Sequence, residues 1–449
     1  MEPRDSYYAK TPDGAYIAYQ VIGDGPIDVV WQSDWPGNID VEQDDPLTKA
    51  WVREVASFSR LIFHDRRGIG LSSRNVALPN LETRVSDLLV VLAAVGSERP
   101  VLTGIFESGA PNALLAATRP ELVHSLVWME PEPRFAWAPD WPWGRTSHDM
   151  ESELEDLELW GSLAYGRAML AVEASKGNEF SFEPGNDAGV AWMARASRNA
   201  CTPDVARALA RIWYETDVRA VLPSINVPTL IQARADSPEE ERWRVVASSI
   251  PGAQFQGIPP GGPWTEEHSR LAAAGIRRFV GAERGRIELD TVLSTVLFTD
   301  IVDSTRKQAA LGDHGWKELL ETHHVVVRES LARWHGSEND TAGDGFYATF
   351  DGPARAIRCA QDVAHKVRDL GIEIRAGIHT GECELIDDKI GGLAVTIGAR
   401  VAATARPSEV RISQTVKDLV AGSGLSFEDA GEHELKGVPD RWRLYQVVP

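Results

Sequence analysis

The chain has 449 residues and a formal net charge of −20 at pH 7. This length predicts two or three domains, each long enough to bury a hydrophobic core of its own. The acidic balance and the lack of any lysine or arginine run argue against a nucleic-acid partner. A nucleotide whose phosphates are partly neutralised by a divalent cation is still compatible with this negative charge.

Cysteine spacing and hydropathy indicate a cytoplasmic protein. The three cysteines, Cys201, Cys359 and Cys383, lie far apart without metal-ligand spacing, and pairing two would leave one over. We therefore expect no disulfide framework. The N-terminus is polar and unlike a signal peptide, and no apolar run is long enough to span a bilayer.

Strands and helices alternate along the first half of the chain. A Gly-Asp-Gly-Pro turn suggests that the first two predicted strands pair with each other. The predicted strands are 15–21, 28–31, 60–63, 101–103, 123–128 and 229–232, and the predicted helices are 47–58, 81–95 and 112–118. This alternation predicts a parallel, doubly wound sheet.

Two segments here, Asp65–Ser72 and Arg119–Val123, resemble segments of the α/β-hydrolase fold. The resemblance covers residues 1–282 and implies a helical cap at about 131–215, where the chain is helical and rich in tryptophan. The indoles could line a pocket for a small apolar ligand, or they could simply pack the cap onto the sheet. Both interpretations stay open here.

The same region departs from the hydrolase pattern at its nucleophile. The nucleophile elbow of the fold reads Gly-x-Ser-x-Gly, and Phe106 stands at the serine position. The triad acid survives as Asp236, whereas no histidine occurs at 259–264, where one is expected, and His268 follows later. We expect a sensor or dimerisation domain without hydrolysis. The competing hypothesis is a shifted dyad of Ser108 and His268.

Residues 283–291 are polar and few, and we predict that they link the first domain to a second one at 292–449. The second domain is organised around an apolar strand that ends in an acidic turn at Asp300. A predicted hairpin further on carries Asp344 at its tip. Two carboxylates suit Mg²⁺, which prefers one or two of them together with substrate phosphates. Either aspartate alone could be an ordinary turn residue.

Five motifs in the second domain resemble the class III nucleotidyl cyclase catalytic domain. They are Phe298–Thr305, Ala342–Phe346, Arg375–Gly381, Ala399–Arg400 and Leu435–Gly437. The resemblance implies an α+β, ferredoxin-like fold that converts a nucleoside triphosphate into a 3′,5′-cyclic monophosphate and pyrophosphate. It also implies two Mg²⁺ or Mn²⁺ ions per site and a homodimer with its active sites at the subunit interface.

The resemblance further implies roles for individual residues. Asp300, Asp344 and the Ile301 carbonyl would bind the metals. N–H groups of five residues would cradle the outer phosphates: Ile301, Val302, Asp303, Ser304 and Thr305. Asp303 is expected mainly to cap the following helix.

The partner subunit would supply the remaining groups. Arg400 matches the arginine that stabilises charge on the transition-state phosphorane, and Lys436 matches the lysine that binds the triphosphate. Thr396 stands where many family members have asparagine, four residues before Arg400, and it reaches less far.

The two residues at the purine positions are charge-swapped relative to typical adenylyl cyclases. Asp340 stands in place of a lysine, and Lys389 stands in place of an aspartate. Guanine offers N1–H to Asp340 and O6 to Lys389, so polarity favours GTP. The combination with an α/β-hydrolase-like domain resembles adenylyl cyclases instead. We predict ATP as substrate, with GTP as the alternative and a non-catalytic ligand-responsive scaffold as the other functional class.

Overall fold

The computed structural model describes residues 5–32, 37–175, 187–259, 265–282, 291–386 and 389–448. The chain divides into two compact units, Met1–Ile287 and Glu288–Pro449. Of the predicted linker, 283–290 lies outside the described residues, and Thr291 already belongs to a strand. No described helix combines the length and the apolarity needed to cross a bilayer.

The first unit contains eight described strands. They are β1 (Tyr7–Lys10), β2 (Tyr16–Ile22), β3 (Asp28–Gln32), β4 (Arg60–His64), β5 (Val101–Ile105), β6 (Ser125–Met129), β7 (Thr229–Arg234) and β8 (Gln254–Ile258). Its helices are α1 (Ile39–Glu42), α2 (Pro46–Ala56), α3 (Leu81–Val95), α4 (Gly109–Thr118), α5 (Ser147–Asp156), α6 (Leu163–Ser175), α7 (Asp187–Ala200), α8 (Pro203–Glu215), α9 (Glu240–Ser248) and α10 (Glu266–Ala282).

These strands form one sheet in the order β1-β2-β4-β3-β5-β6-β7-β8. All neighbours from β4 onward are parallel, whereas β2 pairs antiparallel with β1 and β4. This is the α/β-hydrolase arrangement that the sequence predicts. The parallel strands carry near-continuous apolar residues because helices cover both faces of such a sheet.

The predicted pairing of β2 with β3 is wrong, because β4 lies between them. Two glycines show how the connection makes room. A Cβ on Gly23 would lie 2.4 Å from the carbonyl oxygen of Ala56, and one on Gly25 would lie 2.4 Å from the carbonyl carbon of Phe58. The connection therefore crosses closely over the turn that leads from α2 into β4, rather than folding back as a hairpin.

Helices α5 to α8 lie between β6 and β7, in the region predicted to form a cap. Trp160 is buried in a cluster with Tyr165, Met193 and Leu209, and its Nε1 donates to the Cys201 carbonyl at 2.9 Å. This indole therefore packs the helices together, which agrees with the packing interpretation rather than with a ligand pocket.

The second unit contains eight described strands and four helices. The strands are β9 (Thr291–Ile301), β10 (Ser337–Ala342), β11 (Gly345–Phe350), β12 (Ile374–Ile386), β13 (Lys389–Gly391), β14 (Val410–Ser413), β15 (Phe427–Glu434) and β16 (Arg441–Val447). The helices are α11 (Ser304–Arg333), interrupted at Gly312, α12 (Pro353–Lys366), α13 (Leu393–Thr404) and α14 (Gln414–Leu419).

Their sheet runs β10-β11-β9-β12-β14-β16-β15, with β13 paired to β12. Successive strand residues point to opposite faces. Leu297 and Ile301 therefore face the large core under α11 and α12, whereas Val296 faces α13. The order β9-α11-β10-β11-α12-β12 confirms the predicted ferredoxin-like fold. The predicted hairpin is also confirmed, since Ala342 pairs with Gly345 across a two-residue turn.

Candidate active site

Asp300 lies one residue from the end of β9, beside a cation on the neighbouring strand. Its register partner on β12 is Arg375. Arg375 Nη2 is 2.5 Å from Asp300 Oδ2, and Nε is 3.1 Å from the same atom. The strand pairing thus gives one oxygen of Asp300 a positively charged partner. Arg375 belongs to a motif that the sequence singles out, but the sequence does not predict this contact.

Asp344 occupies the hairpin turn and lies next to Asp300. Burial raises the pKa of the Asp344 carboxyl, and the neighbouring Asp300 carboxyl raises it further, whereas the Ser304 side chain lowers it by hydrogen bonding. Asp344 Oδ2 is buried and has no hydrogen-bond partner. Two carboxylates that approach each other with one oxygen unsatisfied form an arrangement that a cation would stabilise.

The residues present therefore fit a hard divalent cation. Among the described ranges, no cluster of three histidine, cysteine, aspartate or glutamate side chains could hold a metal. Asp300 and Asp344 are a pair rather than a complete protein cage. Mg²⁺ commonly uses one or two carboxylates and takes its other ligands from water and phosphates.

The turn after β9 has fewer free N–H groups than the sequence predicts. Val302 N–H already donates to the Glu373 carbonyl at 2.9 Å, so it is not available to a phosphate. The prediction for Val302 is wrong because the β9–β12 pairing extends one residue past the strand. Asp303, Ser304 and Thr305 stand at the beginning of α11, where N–H groups precede the helix's own hydrogen-bond ladder.

Asp303 does not cap α11 as predicted. It stands at the position directly before the helix, but its side chain makes no capping hydrogen bond. Its backbone is left-handed, at φ 56° and ψ 33°, whereas capping aspartates adopt an extended backbone that aims the carboxylate at the helix N–H groups.

Arg400 and Lys436 form a second group of predicted residues. Arg400 lies on α13, and its Nε donates to the Lys436 backbone carbonyl at 3.0 Å. Thr396 lies one turn earlier on the same face of α13, and all three residues are exposed. Among the described residues, no hydrogen bond or ion pair joins this group to Asp300 or Asp344.

The predicted purine residues lie at the edge of the sheet. Asp340 sits at a bulge in β10 opposite Tyr347, and its Oδ1 accepts from the N–H of Thr341 at 2.9 Å. The Tyr347 hydroxyl donates to the Ile390 carbonyl at 2.9 Å, beside Lys389 in β13. Tyr347 therefore joins the two strands that carry the pair. The Lys389 side chain lies outside the described part of the chain.

Phe298 and Tyr347 form an aromatic pair next to these residues. Their rings stack with centroids 4.8 Å apart and an interplanar angle of 4°. Both positions are only partly buried, so the pair leaves part of a flat apolar surface exposed on one face of β9 and β11. Sequence reasoning missed Tyr347, although an aromatic residue three positions after Asp344 could have suggested it.

The elbow of the first unit retains its shape without its nucleophile. Phe106 follows β5 with φ 48°, a strained backbone for a bulky residue. Its carbonyl accepts from Trp128 Nε1 at 2.6 Å. Ser108 is buried, and its hydroxyl donates to the Ile105 carbonyl at 2.7 Å while accepting from the Ile105 N–H at 2.9 Å. The serine hydroxyl is thus committed to the backbone.

The other two candidate triad residues also serve local structure. His268 Nδ1 accepts from the Thr265 N–H at 2.9 Å, at the beginning of α10. Asp236 is exposed, with its N–H donating to Glu240 at 2.6 Å. Of the segment 259–264, only Pro259 is described. The geometry thus offers no support for the Ser108–His268 dyad.

Comparison with known proteins supports the cyclase-like assignment of the second unit. Residues 289–449 match the family model described as the adenylate and guanylate cyclase catalytic domain. A receptor-type adenylate cyclase, GRESAG 4.3 of Trypanosoma brucei brucei, is 24% identical over 204 residues, covering 34% of this chain and 16% of the relative. An uncharacterized protein of Mycobacterium tuberculosis is 29% identical over 151 residues, covering 32% of this chain and 52% of the relative. The chain thus spans only a sixth to a half of these relatives.

A solved structure resembles the first unit. The esterase EaEST from Exiguobacterium antarcticum aligns with a TM-score of 0.51 at 19% identity, over 61% of this chain and 99% of the esterase. This likeness concerns the fold alone.

Proposed function

We propose that this chain, whose residues 289–449 match the model of the adenylate and guanylate cyclase catalytic domain, converts ATP into 3′,5′-cyclic AMP and pyrophosphate. The observation that carries the proposal is that the carboxyl groups of Asp300 and Asp344 lie next to each other. The Oδ2 atom of Asp344 is buried there and has no hydrogen-bond partner. A surface turn has no reason to hold two carboxylates together, whereas a metal–triphosphate site needs them.

Each residue is then assigned the role that its match to the cyclase motifs implies. Asp300 and Asp344, with the Ile301 carbonyl, would hold Mg²⁺ or Mn²⁺, two per site. When bound, these ions would activate the attacking 3′-hydroxyl and neutralise phosphate charge. The N–H groups of Asp303, Ser304 and Thr305 would bind the outer phosphates at the positive end of α11.

Arg400 and Lys436 would complete the site from the partner subunit, so the active form is a homodimer. The Arg400 guanidinium would stabilise charge on the phosphorane, and the Lys436 ammonium would bind the triphosphate. The hydrogen bond from Arg400 to the Lys436 backbone carbonyl makes the two residues neighbours within one protomer, apart from either aspartate. Thr396 would orient the ribose from the same helix face. A two-fold axis would bring the cations to the partner's carboxylates.

The first test identifies the product. The purified chain is incubated separately with ATP and GTP and with Mg²⁺ or Mn²⁺, and the cyclic nucleotide is identified by mass spectrometry. Asp300→Ala and Asp344→Ala should lose turnover with their folds intact. The matched control is Asp313→Ala, which alters an exposed aspartate on α11 and should keep wild-type turnover. Undiminished product from either site variant refutes the metal assignment.

The second test addresses the shared site. Asp300→Ala and Arg400→Ala homodimers should both be inactive, because each lacks one half of both sites. Mixed subunits should form one doubly damaged site and one intact site, with at most about half of the wild-type activity per heterodimer. A mixture that stays inactive, although subunit exchange is demonstrated independently, contradicts the assignment of residues to opposite subunits.

The second candidate substrate is GTP, favoured by the polarity of Asp340 and Lys389. A carboxylate accepts from guanine N1–H, and an ammonium donates to O6, whereas adenine presents the reverse pattern. The exchanged variant Asp340→Lys with Lys389→Asp should shift the preference toward ATP. An unchanged ratio of the two products would show that this pair does not choose the purine.

We further propose that the first unit regulates or senses without hydrolysing. Phe106 at the elbow cannot attack a carbonyl, and the Ser108 hydroxyl is bonded to Ile105. A catalytic triad loses several orders of magnitude when one member is removed.

A further inference from the structure

A buried ionic cluster lies where the elbow of the first unit meets the helices between β6 and β7. Arg66 Nη1 donates to Glu107 Oε1, and Arg84 Nη1 donates to Glu107 Oε2 at 2.6 Å. Arg66 is 2% exposed and Glu107 is 5% exposed. Burial alone would raise the pKa of Glu107, but the two guanidinium groups hold it below its usual value. The cluster is therefore a carboxylate between two cations.

One edge of Arg66 remains unsatisfied. Its Nε and Nη2 are buried and have no hydrogen-bond partner. Leaving such charged donors unpaired is costly, and structures seldom tolerate it without a ligand or water. Nε–H and Nη2–H point in parallel from one side of the guanidinium, which is the geometry that binds both oxygens of a carboxylate.

The surroundings of Arg66 contain both charged and apolar groups. The indole of Trp213 on α8 lies 5.1 Å from the Arg66 guanidinium carbon. Glu107 and Trp213, which both contact Arg66, also line a small, partly enclosed cavity of about 10 Å³, whose wall includes Phe135. This volume is close to that of one water molecule, so an organic ligand must displace cap side chains to enter.

We propose that the first unit binds a small organic monocarboxylate at the free edge of Arg66, with its apolar part against Trp213 and Phe135. The free edge offers two donors in one plane, which match two carboxylate oxygens. Glu107 and the nearby Glu132, which is paired with Arg242 at 2.9 Å, would repel a dianion such as phosphate more strongly than a monocarboxylate. The charged lining also favours an anion over the wholly apolar ligand that the tryptophan content suggested.

Titration of the full-length chain tests the proposal. Sodium acetate and sodium benzoate are compared with their uncharged matches, acetamide and benzamide, at constant ionic strength, using tryptophan fluorescence and calorimetry. Benzoate should saturate at roughly 0.1–10 mM, a range ordinary for a ligand of this size. Acetate should bind more weakly, and neither amide should bind. Saturation by phosphate but not by benzoate would overturn the carboxylate assignment.

Two variants test whether binding depends on the free Nε and Nη2 edge of Arg66. Arg66→Gln should weaken benzoate binding by about tenfold or more, because it removes a charge-assisted bidentate contact. Arg66→Lys keeps the charge but loses the planar fork and should weaken binding several-fold. The matched control is Arg60→Gln, which breaks a more exposed pair with Asp28 in the same sheet and should leave binding unchanged.

Each outcome decides the question. Unchanged affinity in Arg66→Gln would falsify the site, as would equal binding of benzoate and benzamide. If Arg66→Gln does not fold, two measurements still test the site: the benzoate affinity of Arg66→Lys, and the comparison of benzoate with benzamide in the wild type. No saturation by either carboxylate up to about 100 mM, far weaker than any useful affinity, means that Arg66 only holds Glu107 in place.

Discussion

A single methyl group added at Gly377 should displace the helix that carries two residues of the proposed cyclase site. Gly377 lies in β12 under α13, and a Cβ there would lie 2.0 Å from the backbone nitrogen of Ala402 and 2.3 Å from its Cα. Real Cβ atoms essentially never come within 3.0 Å of such atoms, so the helix must retreat by about 1 Å. Because α13 carries Thr396 and Arg400, the retreat moves both.

The expected cost has two parts. Overpacking of this kind destabilises a domain by about 1–3 kcal/mol. A misplacement of ~1 Å in a catalytic group can reduce turnover by about 100-fold. Gly377→Ala should therefore lower the free energy of unfolding of the C-terminal domain and lower cyclic nucleotide production far more than partial unfolding explains.

Urea unfolding and the product assay measure the two effects on the same preparation. The matched control is Gly315→Ala in α11, where the nearest atom to the new Cβ is the Leu311 Cβ at 3.4 Å. That variant should keep its activity and gain up to about 1 kcal/mol from the helix preference for alanine. Wild-type stability and turnover in Gly377→Ala would refute the packing argument.

Three further predictions concern single side chains. Burial lowers the pKa of His379, and also that of His323, from 6.5 to about 4, so acidification between these values should destabilise the second unit by about 3 kcal/mol for each histidine as the unfolded chain takes up the protons. His379→Gln should lose only the share of that pH dependence that belongs to His379, as measured by urea unfolding. Mn²⁺ should raise the melting temperature of the wild type, by the equivalent of about 2.7 kcal/mol at a hundredfold excess over its dissociation constant, and should leave Asp344→Asn unmoved. Ser108→Ala should cost about 1 kcal/mol through its lost bonds to Ile105 and leave hydrolysis of nitrophenyl acetate at background. Ester hydrolysis that survives Phe106→Ala and vanishes in Ser108→Ala would contradict this assignment.

Local chemistry made several features predictable from the sequence. The turn at Gly343 needs a positive φ, which glycine adopts freely, so the hairpin that carries Asp344 follows from residue types alone. The alternation of strands and helices predicted the first sheet because each element must bury one apolar face. The elbow residue Phe106 could be placed because the preceding strand and following helix have clear patterns.

Contacts between distant segments could not be predicted in this way. The insertion of β4 between β2 and β3 depends on helix α2 and the close approach at Gly23, and neither segment encodes it alone. Val302 lost its predicted role because the carbonyl of Glu373, the residue before β12, accepts its N–H. The left-handed backbone of Asp303 likewise follows from how β9 leads into α11.

The sequence by itself therefore determined the chemical inventory of this protein: one aspartate at the end of a predictable strand and one in a predictable turn, an arginine and a lysine in recognisable motifs, and an elbow without a nucleophile. The tertiary structure decided which of these groups meet. Asp300 and Asp344 approach each other, Arg400 reaches the Lys436 carbonyl, and Arg66 keeps one edge of its guanidinium unpaired. The physical reason is that residue type and local pattern specify donors, acceptors and backbone preference, whereas desolvation and hydrogen-bond satisfaction depend on neighbours that only the packed chain supplies.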